Sequence, residues 1–151
     1  MEGAARIESA PSAAREESSE IPRARAGEVV LVVEDDDDVR DSTVALLEEL
    51  GYSVLAARNG VEALDRLKDD GRIDILFTDV VLPQGMNGRA LSVEAAALRN
   101  ALPVLFTTGY ARNAIIHNGR LDPGVQFLAK PYTQREIAQK LRSAIDAAAK
   151  A

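Results

Sequence analysis

The chain has 151 residues, 46% of them hydrophobic, and a formal net charge of -6 at pH 7. This length fits one globular domain of the usual size, about 100 to 150 residues. The acidic charge provides no basic surface for phosphate backbones or anionic lipids, so we expect no direct binding to nucleic acid or to a membrane. The absence of cysteine excludes disulfides and thiolate metal sites, and it favours a reducing compartment, for which we take the cytoplasm.

Residues 1–27 differ in composition from the rest of the chain. They are rich in Ala, Glu, Ser and Arg, they contain Pro11 and Pro22, and they have few large apolar side chains. Such a segment buries too little apolar surface to offset the entropy of ordering. We therefore predict a flexible amino-terminal arm over 1–27, followed by one domain over 28–148. No segment approaches the run of about 20 apolar residues that a membrane helix needs.

Beyond the arm, apolar strands alternate with amphipathic helices. The first strand is the run VVLVV from Val29, whose lack of polar alternation is typical of a strand covered on both faces. The first helix follows, with apolar residues at helical spacing from Val39 to Leu50 and with Gly51 at its end. Further strands are predicted at 53–56, 73–77, 103–107 and 125–128. Further helices are predicted at 61–68, 88–99, 111–117 and 133–148.

Capping residues support two of these helices. Asn59 precedes the second helix and is a favourable N-cap. Thr133 and Glu136 form a capping box at the start of the last helix. That helix then presents one apolar stripe, formed by Ile137, Leu141 and Ile145.

Five strand-helix units in strict alternation indicate a three-layer α/β/α sandwich. The strands would be parallel, with right-handed crossovers and with helices on both faces of the sheet. All carboxyl ends of parallel strands lie along one edge of the sheet, where ligands bind at the switch in strand order.

Polar side chains follow four of the predicted strands. Glu34 and Asp35 follow the first strand, Asp79 the third, Thr108 the fourth and Lys130 the fifth. With the strand order 2-1-3-4-5, we expect these five side chains to meet in one crevice. Each of these side chains alone is explained equally well by a turn or by surface charge. The coincidence of polar side chains at four separate strand ends weakens that explanation for the set as a whole.

The chemistry of this set indicates a metal and a phosphoryl group. Closely spaced carboxylates repel unless a cation compensates them, and hard oxygen ligands suit Mg²⁺. Lys130 and the Thr108 hydroxyl would neutralise phosphoryl oxygens on an acceptor carboxylate. Asp79 is the natural acceptor because it stands alone at its strand end, whereas Asp35 lies in the acidic run EDDDD. Asp37 and Asp38 in that run are assigned to the first turn of a helix.

Four segments carry a family pattern: VLVVEDDDDVR, DILFTDVVLPQGMNG, PVLFTTGYA and FLAKPYT. Over about residues 28–148, this set resembles the receiver domain of two-component response regulators, which has the flavodoxin-like fold of CheY. The resemblance implies that Asp79 is the phosphoacceptor. It also implies that Asp35, Asp79 and the backbone carbonyl of Val81 bind Mg²⁺, with Glu34 acting directly or through water.

The same resemblance assigns roles at the fourth and fifth strands. Thr108 would be the switch hydroxyl that moves toward the phosphoryl group. Lys130 would pair with that group, and the Lys130-Pro131 bond would be cis.

Three positions depart from the family pattern. Receivers usually carry aspartate where Glu34 stands, and the usual aromatic switch residue, often tyrosine, is Phe127 here. The loop from Asp79 to Gly88 is one residue longer than the common form.

We therefore interpret the chain as a receiver that takes a phosphoryl group from a histidine kinase or a phosphotransfer protein. It would not be an enzyme, and it would signal to an unknown downstream protein through contacts, because no effector segment follows the last helix. A related alternative is the terminal receiver of a hybrid sensor histidine kinase. A rival of another class is an Mg²⁺-dependent aspartyl-phosphate hydrolase with Asp35 as nucleophile and Asp37 as acid. A third reading is a docking module that is not phosphorylated.

Overall fold

The computed structural model describes residues 21–69, 71–82, 86–108, 116–117, 120–121 and 126–150. Of residues 108, 116–117, 120–121 and 150, it describes the backbone but not the side chains. Within these ranges the chain forms β1 (Val29–Val33), α1 (Asp37–Glu49), β2 (Ser53–Ala57), α2 (Gly60–Asp69), β3 (Ile75–Asp79), α3 (Gly88–Leu98), β4 (Val104–Thr108), β5 (Ile116–His117), β6 (Arg120–Leu121), β7 (Gln126–Ala129) and α4 (Gln134–Lys150).

The main sheet has five strands in the order β2-β1-β3-β4-β7, and every neighbouring pair is parallel. Counted along the chain, its strands follow the predicted order 2-1-3-4-5. The register aligns their carboxyl ends, since Asp79 lies opposite Thr107, and Thr108 lies opposite Ala129. The predicted flavodoxin-like fold is confirmed.

Helices cover both faces of the sheet and bury one core on each face. Val30 and Val32 belong to a core that α1 and α4 cover, while Leu31 and Val33 belong to a core that α2 and α3 cover. Because successive strand residues point to opposite faces, a strand between two helical layers must be apolar throughout. This requirement explains the unalternated run VVLVV in β1.

The predicted caps are present. The Asn59 side chain accepts a hydrogen bond from the Glu62 amide at 2.9 Å. Thr133 and Glu136 exchange reciprocal bonds at 3.1 and 2.9 Å, which completes the capping box of α4.

Residues 21–27, which the composition assigns to a flexible arm, lie against α1 and α4. Ile21 and Ala24 pack on the core between these helices, and the Ala24 amide donates to the Leu50 carbonyl at 2.9 Å. Arg142 of α4 donates to the Arg23 carbonyl at 3.0 Å and pairs with buried Glu28 at 2.6 Å. Residues 1–20 lie outside the described ranges, and the domain boundary at residue 28 stays a prediction.

The predicted helix at 111–117 is wrong at its end. Residues Ile116 and His117 form β5, which pairs antiparallel with β6. The sequence between the two strands is Asn118-Gly119, the pair that most favours a two-residue hairpin connection. Residues 111–115 of that predicted helix lie outside the described part of the chain.

Among the helices that are described, none is long and apolar enough to cross a bilayer.

Candidate functional site

Hydrogen bonds with α1 hold the acidic loop that follows β1. Asp36 is the N-cap of α1, and its side chain accepts from the Val39 amide at 3.0 Å. Asp37 and Asp38 lie in the first turn, as predicted. Arg40 reaches back from the helix to the Glu34 carbonyl at 3.0 Å and pairs with Asp37 at 2.6 Å. The backbone of Glu34 is therefore anchored by Arg40, a contact that the sequence pattern did not reveal.

Three carboxylates meet at the carboxyl edge of the sheet. Glu34, Asp35 and Asp79 each offer an oxygen, and these oxygens lie within 4.8 Å of one another. Glu34 and Asp79 are buried, whereas Asp35 is exposed. The expected proximity of Asp35 and Asp79 is therefore present in the structure. Hard, closely spaced oxygens of this kind fit a small divalent cation such as Mg²⁺.

Lys130 lies between two of these carboxylates. Its Nζ donates to Glu34 Oε1 at 2.8 Å and to Asp79 Oδ2 at 2.9 Å. Burial lowers the pKa of Lys130, but the hydrogen bonds to Glu34 and Asp79 outweigh burial and hold the pKa above its ordinary value. Lys130 is therefore a persistent cation at the acidic cluster.

Glu34 uses both of its carboxylate oxygens. Oε1 accepts from Lys130, and Oε2 accepts from the Asp36 amide at 3.1 Å. Burial raises the pKa of Glu34, although these two hydrogen bonds act against the shift. The glutamate that replaces the usual aspartate is thus a direct partner of Lys130 in this chain.

The start of α3 lies close to the end of β3. The Val81 amide donates to Asp79 Oδ1 at 3.2 Å, and the Gly88 amide donates to the Val80 carbonyl at 2.7 Å. A Cβ at position 88 would collide with the carbonyl oxygen of Asp79. Glycine at the start of α3 is therefore required by this close approach, which the sequence pattern did not reveal.

Two switch residues predicted from the sequence lie near the cluster in the sheet. Thr108 ends β4 and lies opposite Ala129, the residue before Lys130; its side chain is outside the described part of the chain. Phe127 is partly buried and packs against Val80 and Phe106. The roles of these residues, and of the carbonyl of Val81, stay predictions.

The segment after Lys130 is fixed against α1. The Lys130-Pro131 peptide bond is cis, as predicted. The Tyr132 hydroxyl and Thr43 Oγ1 share a hydrogen bond at 2.6 Å. A groove of about 630 Å³ runs beside this bond, and its apolar lining includes Val39, Leu46 and Pro131.

Comparison with known proteins identifies the family to which the chain belongs. Residues 30–142 match the family described as response regulator receiver domain. The chain is 35% identical over 143 residues to the sensor kinase CckA of Brucella abortus, a match that covers 93% of this chain and 15% of that protein. It is 32% identical over 119 residues to the response regulator receiver protein CpdR of Brucella abortus, covering 79% of this chain and 98% of that protein.

Solved structures agree with the sequence comparison. The crystal structure of the receiver domain from the hybrid histidine kinase CckA superposes with a TM-score of 0.66 at 35% identity and covers 78% of this chain and 98% of that one. A response regulator receiver protein from Sinorhizobium medicae gives a TM-score of 0.74 at 23% identity, with 82% and 98% of the two chains covered, and this likeness shows the fold. Receivers are signalling domains. The chain belongs to the response regulator receiver domain family.

Proposed function

We propose that this chain is the phosphoacceptor receiver of a two-component phosphorelay and that Asp79 accepts the phosphoryl group. The observation that carries the proposal is the position of Lys130, whose ammonium group contacts Asp79 and Glu34 at the cluster that includes Asp35. A cation held against the acceptor is in place to neutralise the charge of an incoming phosphoryl group without reorganisation.

The donor in this proposal is a phosphohistidine, because receiver domains exchange phosphoryl groups with histidine kinases and phosphotransfer proteins. The P–N bond of the phosphohistidine breaks while a P–O bond forms to a carboxylate oxygen of Asp79. The imidazole keeps the bonding electron pair and takes up a proton. The chain is then a substrate of the transfer and not an enzyme with a separate substrate, and hydrolysis of the aspartyl phosphate returns it to the starting state.

Magnesium is the proposed cofactor, and the donor set described above fits it. Asp35, Asp79 and the backbone carbonyl of Val81 would hold the ion, with Glu34 contributing directly or through water. When bound, the ion supplies positive charge to the phosphoryl oxygens.

The output of the switch is a change in protein binding. Phosphorylation replaces the single negative charge of the Asp79 carboxylate by an acyl phosphate that carries about 1.5 to 2 negative charges. We propose that the Thr108 hydroxyl moves toward this charge, that Phe127 repacks with it, and that a downstream protein reads the altered surface. The cysteine-free composition supports a cytoplasmic location for these exchanges.

The donor surface is the groove beside α1. It has apolar walls at Val39 and Leu46 and includes Lys130 in its lining, so a helix seated there reaches the acidic cluster. Asp38, an exposed acid at the start of α1, is part of its lining. Charge complementarity therefore favours a partner helix with basic residues around its phosphohistidine.

A second candidate is the terminal receiver of a hybrid sensor histidine kinase. The 35% identity to CckA extends over 93% of this chain, which exceeds the share that CpdR matches. The phosphoryl chemistry at Asp79 is the same in both candidates, and only the covalent context differs.

Labelling by acetyl phosphate with Mg²⁺ tests the proposal. Intact mass spectrometry should show one phosphoryl adduct on the wild type, none on Asp79→Asn and an unchanged adduct on Asp65→Asn, an exposed control on α2. Labelling that persists in Asp79→Asn but disappears in Asp35→Asn would support the hydrolase instead. A wild type that takes no label under any donor would support the docking module.

A further inference from the structure

Tyr132 joins three parts of the domain that are distant in the chain. Its hydroxyl bonds Thr43 of α1, which lies 89 residues away, at 2.6 Å. Its ring packs edge-on against Phe77 of β3, with ring centroids 5.9 Å apart. Phe77 lies two residues before Asp79, and Tyr132 lies two residues after Lys130. The Tyr132 side chain therefore links the segment that carries Lys130 to the acceptor strand β3 and to α1.

Helix α1 holds both loops that contribute to the Lys130 contacts. Arg40 anchors the Glu34 carbonyl, and Thr43, almost one helical turn further along, anchors Tyr132. The segment that carries Lys130 and the segment that carries Glu34 are thus both hydrogen-bonded to α1. We therefore expect a change in either anchor to alter the distance between the Lys130 ammonium and the Glu34 carboxylate.

The ring and the hydroxyl of Tyr132 have separable roles. The ring contributes packing against Phe77 and the core between α1 and α4, and a phenylalanine would retain that packing. Among the residues that the structure describes, the hydroxyl adds the bond to Thr43. This bond joins the segment after Lys130 to α1.

We infer that Tyr132 is a positioning residue for Lys130, acting through the hydrogen bond between its hydroxyl and Thr43. The inference rests on the proposed function and deepens it, because Lys130 is the group that meets the phosphoryl oxygens. Thr43, Tyr132 and Lys130 also line the donor groove. A partner that occupies the groove therefore contacts the same bond that sets the position of the lysine.

The kinetic test uses Tyr132→Phe and Thr43→Val, with Tyr52→Phe as the matched control. Tyr52 is also a buried tyrosine in the core between α1 and α4. It lies between α1 and β2, at the amino-terminal edge of the sheet and away from the acidic cluster. With acetyl phosphate, Tyr132→Phe and Thr43→Val should each lower the maximal phosphorylation rate about 3- to 10-fold with little change in the half-saturating donor concentration. The double variant should lose no more than either single variant, and Tyr52→Phe should retain the wild-type rate.

A Lys130→Ala background separates positioning from a general structural role. If Tyr132 acts through Lys130, Tyr132→Phe should cause no further loss of rate in that background. A loss of the same size in both backgrounds would overturn the inference. A lowered melting temperature with an unchanged rate would also overturn it, since Tyr132 would then contribute only to stability.

A second readout does not depend on phosphorylation. The lysines of the chain are Lys68, Lys130, Lys140 and Lys150, so the ε-¹³C signal of Lys130 can be assigned in ¹³C-lysine protein by the substitution Lys130→Arg. Tyr132→Phe should shift this signal and Tyr52→Phe should not. An unmoved signal contradicts the inference even if Asp79 is never labelled, whereas a wild type without label and a shifted signal would contradict only the proposed function.

Discussion

Lys130 and Asp79 lie 51 residues apart in the chain, and Lys130 Nζ donates to Asp79 Oδ2 at 2.9 Å. The same ammonium group bonds Glu34 at 2.8 Å. A partly buried cation shared by two carboxylates keeps its charge, and it is already in place where a phosphoryl group would arrive. This relationship makes Lys130 the first residue to test.

Replacing Lys130 by alanine should slow phosphorylation of Asp79 by acetyl phosphate about 100-fold, a loss typical of removing one charge-stabilising donor from a reacting site. Lys140→Ala is the control, because this lysine is exposed on α4. Initial rates from intact mass spectrometry at fixed donor and Mg²⁺ provide the measurement. Equal rates for Lys130→Ala and wild type would remove Lys130 from the chemistry.

Magnesium should stabilise the folded chain, because binding to the native state alone shifts the unfolding equilibrium. At a concentration of about 10 times the Kd, the gain is about 1.4 kcal/mol. Melting curves with and without Mg²⁺ measure it. Asp35→Asn should reduce the gain and Asp65→Asn should not. A wild-type melting temperature that is independent of Mg²⁺ would contradict the metal assignment.

Gly88→Ala should destabilise the domain by about 1 to 3 kcal/mol, as overpacking does in well-packed regions. The added methyl group would meet the carbonyl oxygen of Asp79 and displace the loop beside the acceptor. Gly71→Ala is matched in chemistry and should be close to neutral, because a Cβ there meets no atom of the described residues within 4 Å. Urea unfolding of the two variants distinguishes the cases, and equal losses would argue against the close approach at Gly88.

Acid should remove the stability that Glu28 contributes. Burial raises the pKa of Glu28, but its hydrogen bonds and charge interactions with Arg142 and the Arg25 amide outweigh burial and lower the pKa below its ordinary value of 4.5. A lowered native pKa gives stability that is present above the unfolded pKa and is lost as the pH falls through the native pKa.

Glu28→Gln should therefore cost about 1 to 3 kcal/mol at pH 7, and its difference from wild type should shrink as the pH falls below 4.5. Urea unfolding at pH 7 and at acid pH measures this difference, with exposed Glu48→Gln as the control. A difference that stays constant with pH would show that ionisation of Glu28 is not involved.

The parallel sheet and the residues that meet at its edge followed from the pattern of strands and helices, whereas the order 2-1-3-4-5 came from the family resemblance. Apolar runs mark the strands, strict alternation makes them parallel, and parallel strands bring Asp35, Asp79 and Lys130 to one edge. Local signals also sufficed for the capping box at Thr133. In each case the residues that determine the feature are either neighbours in the chain or part of the repeating strand-helix pattern.

Other features depend on contacts between distant side chains and were not predicted. Nothing local in Thr43 indicates a bond to Tyr132, and nothing in Glu28 indicates its pairing with Arg142, 114 residues away. The hydrogen bonds of Arg142 to the Arg23 carbonyl and of the Ala24 amide to Leu50 hold residues 21–27 against the domain. The composition of this segment nevertheless resembles that of a flexible arm. The hairpin of β5 and β6 had a local signal in Asn118-Gly119, which the helical reading of 111–117 overlooked.

The central claim is that Asp79 carries the phosphoryl group, and direct mapping of the modified residue tests it. Borohydride reduces an aspartyl phosphate to homoserine and leaves free carboxylates unchanged. After treatment with acetyl phosphate and Mg²⁺ and then borohydride, peptide mass spectrometry should find homoserine at position 79. Homoserine at position 35, or unmodified aspartate at both positions, would contradict the claim.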